Sequence, residues 1–366
     1  MAQGRVLLVT ALVSAVALAG CSGTDEPAVA PQPTPSPHSL AERAQAVESV
    51  AAPNVDAGVA PGVVVVLADD SGQRALALGV SDRAKHTPMS PEARFKLAGP
   101  TAPMTAAVVL QLAEDRVLDL EDTVETWLPG LLRHGDRITL AEVLAQTGGL
   151  PDPDPSSLIG DPHATVDDYV GLLADEPLES EPGEEFRYSN AGYALLGLVV
   201  EKATGRPLEE VLRERLFDPL GMSSTRLPDG ESLGSHLAHG YEGRHDVTDV
   251  DVSWVGAAGA LVGSADDVSL FLRGLFGGAV VPLPVLDRMT DMRDVRSLGW
   301  NGFGLGLARV DTDCGVAYGQ SGRVPGYVSD AWFAPDSGRS VVVEVNGSGD
   351  AVSGTVEAIR EAALCD

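Results

Sequence analysis

Lysine is nearly missing from this chain. Only Lys85, Lys96 and Lys202 occur, so 22 of the 25 basic residues are arginine. Positive charge of any kind is short: 53 acidic residues leave a formal net charge of −28. Such a surface repels phosphate, which excludes a nucleic-acid-binding role. The acidic residues are dispersed, without a block of five or six, as on a solvated surface. Aromatic residues make up only 5% and cysteine occurs three times. What remains is an ordinary globular balance, 44% hydrophobic and 21% charged over 366 residues. That is enough for a sizeable core in one large domain or two interleaved subdomains.

Residues 1–20 read as an export signal. Arg5 supplies a short positive start, and Val6 to Leu18 is an apolar run of signal-peptide length, too short to span a bilayer as a helix. Leu18-Ala19-Gly20-Cys21 then resembles the lipobox of bacterial lipoproteins. This resemblance implies cleavage before Cys21, a diacylglycerol on its thiol, and an exported chain anchored at the outer face of the bacterial cytoplasmic membrane. Residues 21–38, with Pro27, Pro31, Pro33, Pro35 and Pro37, read as an extended tether. With Cys21 occupied, Cys314 and Cys365 are one possible pair, and in an exported protein a disulfide is the default expectation.

The folded part is expected over 39–366. Ser39 to Val50 reads as an amphipathic helix with Ser39 and Glu42 as a capping box. Gly62–Ala68 and Arg74–Val80 read as a hairpin across Asp69-Asp70-Ser71-Gly72. Thr105 to Asp115 is almost wholly apolar, and a helix apolar all round is a buried one. Residues 118–259 are helical pieces with Pro and Gly breaks. Ser264 caps a helix running to Phe276, with Asp267 three residues on. Strands are expected at Phe303–Val310, Gly315–Gly319, Tyr327–Ala334 and Arg339–Val345, and a final helix from Asp350 to Leu364. This order implies an α+β fold. One antiparallel sheet is assembled from both chain ends and flanked by helices, with an all-helical subdomain inserted between.

Four stretches carry a family resemblance. They are Ile138 to Pro151 (ITLAEVLAQTGGLP), Phe186 to Tyr193 (FRYSNAGY), Ala257 to Asp267 (AAGALVGSADD) and Tyr318 to Tyr327 (YGQSGRVPGY). Together they resemble the serine β-lactamase and D-alanyl-D-alanine carboxypeptidase (penicillin-binding) superfamily, in the family's order and over roughly residues 39–366. The resemblance implies a serine opening a helix and a lysine three residues later on the same face. It also implies a Tyr-Ser-Asn motif in the cleft and a Lys-Thr-Gly or His-x-Gly triplet on a sheet strand holding the substrate carboxylate. No cofactor or metal is implied.

The first element is missing. Where the family writes its nucleophile and lysine, this chain has Gly99 and Ala102, with Pro100 and Pro103 beside them. No S-x-x-K and no G-x-S-x-G occurs anywhere. Pro100 at a helix start and Pro103 within the first turn lack only N–H groups that are unpaired there in any case. The fold should therefore survive the loss of the mechanism. Gln320 stands where His or Lys is expected, followed by Ser321 and Gly322; Gln146 and Gly148 replace His and Ser in the first stretch. Tyr188 and Asn190 are retained.

Three other candidate sites remain. Thr101 is two residues off register, without a lysine partner. Ser189 and Ser321 are expected on the cleft wall, where either, Ser321 lying near Tyr188, would be the nucleophile of an atypical hydrolase. His236, His239 and His245 with Asp246 superficially suggest zinc, but His239-Gly240-Tyr241 matches an ordinary family loop. The expectation is a pseudoenzyme whose cleft, lined by Tyr188, Asn190, Gln320, Ser321 and Gly322, binds a peptidoglycan-like peptide or an envelope protein.

Overall fold

A computed structural model describes residues 38–161, 163–228, 233 and 236–365. The export signal, Cys21 and all but the last residue of the tether lie outside the described residues. No described helix is long and apolar enough to cross a membrane.

The chain begins with α1 (Leu40–Asp56). Ser39 and Glu42 form its capping box, as the sequence predicts, and the helix runs six residues past Val50 through Pro53. Next come β1 (Gly62–Asp69), β2 (Gly72–Asp82), β3 (Thr87–Pro88), β4 (Arg94–Lys96) and α2 (Thr101–Glu114). Up to the return of the sheet the chain is mostly helical: α3 (Val124–Trp127), α4 (Leu140–Leu144), α5 (Val166–Gly171), α6 (Asn190–Thr204), α7 (Leu208–Leu212) and α8 (Asp218–Leu220), followed by the two-residue strands β5 (Tyr241–Glu242) and β6 (His245–Asp246). Then β7 (Val262–Ser264) leads into α9 (Ala265–Phe276) and α10 (Leu283–Met289). Ser264 accepts the Asp267 N–H as the predicted cap of α9. The chain closes with β8 (Arg293–Ser297), β9 (Trp300–Phe303), β10 (Ala308–Thr312), β11 (Gly315–Val324), β12 (Tyr327–Ala334), β13 (Arg339–Val345), β14 (Gly347–Ser348) and α11 (Asp350–Cys365).

Nine strands form one antiparallel sheet in the order β3-β2-β1-β13-β12-β11-β10-β9-β8. The centre joins the two chain ends, with Val63 opposite Val345 and Val66 opposite Val342. Both strands there are β-branched and buried on both faces, which suits a centre covered by helices on each side. Trp332 and Phe333 show the two layers, since neighbours on a strand point to opposite faces. Arg360 of α11 lies over Trp332, 5.4 Å from its ring centroid. Phe276 of α9 stacks on Phe333 at 4.4 Å.

The expected strand Phe303–Val310 is two strands, β9 and β10. Gly304 and Gly306 turn the chain between them: Gly306 has φ +85°, and Gly304 sits against the Met289 carbonyl with no room for a β-carbon. Strand β8 escapes sequence reading because Arg293-Asp294-Val295-Arg296-Ser297 is polar at all but one position. The expected strand Gly315–Gly319 extends to Val324.

The C-terminal helix is held at its end. Arg43 Nε donates to the Ala363 carbonyl at 2.8 Å and Arg339 to the Leu364 carbonyl at 2.7 Å. Two guanidinium groups thus face the negative end of the helix dipole. The structure joins Cys365 of α11 to Cys314 of the β10–β11 turn, with Cα atoms 5.3 Å apart.

Candidate active site

Helix α2 starts directly after Ala98, Gly99 and Pro100. Ala98 takes a left-handed conformation, φ 48°, which an alanine adopts only under local constraint. The first turn of α2 carries no usable nucleophile. Ala102 is buried, and Thr101 is fully buried with its hydroxyl unpartnered and away from the cleft lining. Pro103 occupies the third helical position, as the sequence allows.

The opposite wall is the end of β11. Strand β10 pairs with β11 only as far as Gly319, so Gln320–Val324 keeps one edge toward α2. Gly99 fills that edge. A β-carbon on Gly99 would lie 2.5 Å from the Ser321 carbonyl carbon and 2.7 Å from the Gly322 nitrogen; one on Gly322 would lie 2.5 Å from the Gly99 Cα. Gly99 and Gly322 are thus in backbone contact at the start of α2.

Gln320 is buried, and its Nε2 donates to the Tyr188 hydroxyl at 3.3 Å while its Oε1 has no partner. It stands behind Tyr188 and does not line the cleft, contrary to expectation. Burial, and after it the charge of Asp152, push the Tyr188 hydroxyl above its ordinary range. The phenol is therefore held protonated, while its oxygen accepts from Gln320. Lys96 offers no help, because its Nζ donates to the carbonyls of Thr248 and Val250 at 2.9 and 2.6 Å.

The two alternative serines part company. Ser321 does line the cleft, and its Oγ accepts from Trp300 Nε1 at 3.4 Å. Ser189 is corrected: it is buried, caps α6 by accepting from the Gly192 N–H, and donates to the Pro151 carbonyl at 2.7 Å. The helix start needs that hydroxyl. Among the described residues no group of three or more His, Cys, Asp or Glu side chains is placed to hold a metal ion. His239 is held between Asp246, at 2.8 Å, and Asp82, at 3.6 Å.

Beyond the Gly99–Gly322 contact a cleft of about 640 Å³ remains. Asp152 lies in it with its carboxylate oriented by three donors: the Asn190 N–H at 2.8 Å, Asn190 Nδ2 at 3.0 Å and the Tyr169 hydroxyl at 3.5 Å. Crowding by protein raises the Asp152 proton affinity, against the pull of those hydrogen bonds. Tyr169 packs edge-on against Trp254 at 5.1 Å, and Tyr188 edge-on against Trp300 at 5.3 Å. In a chain this poor in aromatics, two of the four tryptophans and two of the six tyrosines line one cleft.

A Beta-lactamase family model matches residues 47–365. The chain belongs to the β-lactamase family. Over 171 residues it is 34% identical to penicillin-binding protein 4* of Bacillus subtilis, a match covering 44% of this chain and 38% of that relative's length. A D-amino acid amidase from Ochrobactrum anthropi SV3, complexed with L-phenylalanine, superposes with a TM-score of 0.80 at 26% identity, covering 87% of this chain and 98% of that one. A D-stereospecific amidohydrolase from Streptomyces sp. gives 0.77 at 28% identity, covering 90% and 99%. The serine β-lactamase and penicillin-binding fold expected from the motifs is therefore the fold of this β-lactamase family member.

Sequence reading missed Asp152, Tyr169, Trp254 and Trp300. Asp152 directly follows the Gly-Gly-Leu-Pro stretch and was within reach. The three aromatics come from α5, a 3-10 turn and β9, with no spacing signal.

Proposed function

We propose that this protein is a non-acylating member of its family, whose cleft binds a peptidoglycan-like peptide or an envelope protein. We further propose that Cys21 anchors it at the outer face of the cytoplasmic membrane. The carrying observation is the backbone contact of Gly99 with Gly322. It adds a steric block to the absent serine and lysine. Losing the nucleophile of a covalent hydrolase costs on the order of 10⁶ in kcat. The similarity to proteins named for D-amino acid amides and penicillin supports a ligand built from D-amino acids.

Intact-protein mass after incubation with a reactive penicillin tests this reading. No adduct is expected, beside stoichiometric labelling of an active family member; a stoichiometric adduct overturns it. The competing reading is an atypical hydrolase using Ser321, which the open position of that hydroxyl favours. Amide or ester hydrolysis that disappears in Ser321→Ala would establish it.

A further inference from the structure

We infer that the cleft selects an organic ammonium carried on an apolar body, and rejects the carboxylate that the family's sheet-edge cation would hold. This rests on the non-acylating reading, and names the ligand chemistry of the same site.

Three observations converge. The first is the charge of the walls. The lining carboxyl groups are Asp152, Asp251, Asp330 and Glu357, against Arg323 and Arg360. Arg360 is held by Asp330 at 3.1 Å and lies over Trp332; Arg323 sits exposed at the rim, 3.8 Å from Asp350. An entering carboxylate meets no buried, uncommitted cation, only Arg323 at the solvent-exposed rim. Gln320, at the position of the family's cation, is neutral and spends its amide on Tyr188.

The second is Asp152, which shares the cleft lining with Tyr169, Tyr188, Trp254 and Trp300. Hydrogen bonds from Asn190, Tyr169 and the Ala191 N–H fix its carboxylate, which stays exposed to an entering ligand. An ammonium that reaches a ring face as well gains most from it when desolvated.

The third is the rim. Leu298 and Ile159 are exposed, at 58% and 52%, and both border the cleft. Leu298 and Gly299 are the two-residue turn between β8 and β9, with φ of 57° and 77°. Such a turn favours Asn, Asp or Gly at its first position. A leucine there works against the backbone, and what it supplies is an apolar side chain at the cleft mouth.

The test uses the full chain, with 2-phenylethylammonium and its near-isostere 3-phenylpropionate as probes in thermal melts and calorimetric titration. The ammonium should raise the melting temperature by at least about 2 °C well above its Kd, and the carboxylate should not. Asp152→Asn should weaken ammonium binding tenfold or more. Leu298→Asn should melt higher than the wild type yet bind the ammonium less tightly. Equal response to both probes, preference for the carboxylate, or undiminished binding in both variants overturns the inference. The penicillin adduct assay is run beside it. An adduct sinks the non-acylating reading, whereas carboxylate preference without an adduct sinks only this inference.

Discussion

Gly99 and Gly322 touch through their backbones, each occupying the space that a β-carbon on the other would need. Gly99→Ser should therefore destabilise the protein by about 1–3 kcal/mol, the usual cost of overpacking, read as a lower denaturation midpoint with an unchanged slope. Restoring both family residues in Gly99→Ser/Ala102→Lys should still give no penicillin adduct. Acylation of the double variant would mean that this contact opens freely.

Lys96 predicts an alkaline signature. Burial pushes its ammonium down to about 8, against the attraction of Asp251 and Asp249. Between pH 8 and the ordinary lysine value near 10.5, the unfolded chain then holds more protons than the fold. Stability contributed by this group must rise with pH across that window, by up to ~3 kcal/mol. Lys96→Met should be less stable throughout, since the Thr248 and Val250 carbonyls lose their donor, and its stability should lack this rise between pH 8 and 10. Parallel stability–pH curves for the two proteins would refute the assignment.

Glu344 works in the opposite sense. It is fully buried, bonds Ser329 through one oxygen and leaves the other unpartnered. Burial holds its carboxyl well above the ordinary range. Above pH 4.5 the unfolded chain ionises this group before the fold does, so stability is lost as pH rises. Glu344→Gln keeps the shape of the protonated acid and removes that loss. The variant should melt higher than the wild type at pH 7.5, with a smaller gain at pH 4; no gain at pH 7.5 would count against the buried acid.

The link between Cys314 and Cys365 closes a loop with a sequence separation of 51. Chain entropy assigns such a loop about 4 kcal/mol. Cys314→Ser, or reduction under native conditions, should lower the unfolding free energy by up to this amount while the described fold persists. Two free thiols in the purified, non-reduced protein would remove the premise.

Much of the scaffold was legible from local chemistry. Ser39–Glu42 and Ser264–Asp267 announce helix starts because the capping hydrogen bonds are made within three residues. Tyr327–Ala334 and Arg339–Val345 stand out because the turn between them carries its own residues. The site was legible only in part. The replacement at Gly99 is visible in sequence, but the closure is not, because it depends on where β11 lies relative to α2. Ser189 looked like a cleft residue and is a helix cap, a role its neighbours in sequence permit equally well. Trp300, Tyr169, Trp254 and Asp152 come to one cleft only through tertiary packing, which leaves no periodicity to read.

The joining of β1 to β13 bears on how the chain is made. Until Arg339–Val345 has emerged, the run Val63-Val64-Val65-Val66 can pair only with β2 and keeps an open, sticky edge. Val66 and its partner Val342 are 276 residues apart, and the edge stays open until they meet. The slow event in maturation should be the late docking of the C-terminal hairpin against an N-terminal hairpin made long before it.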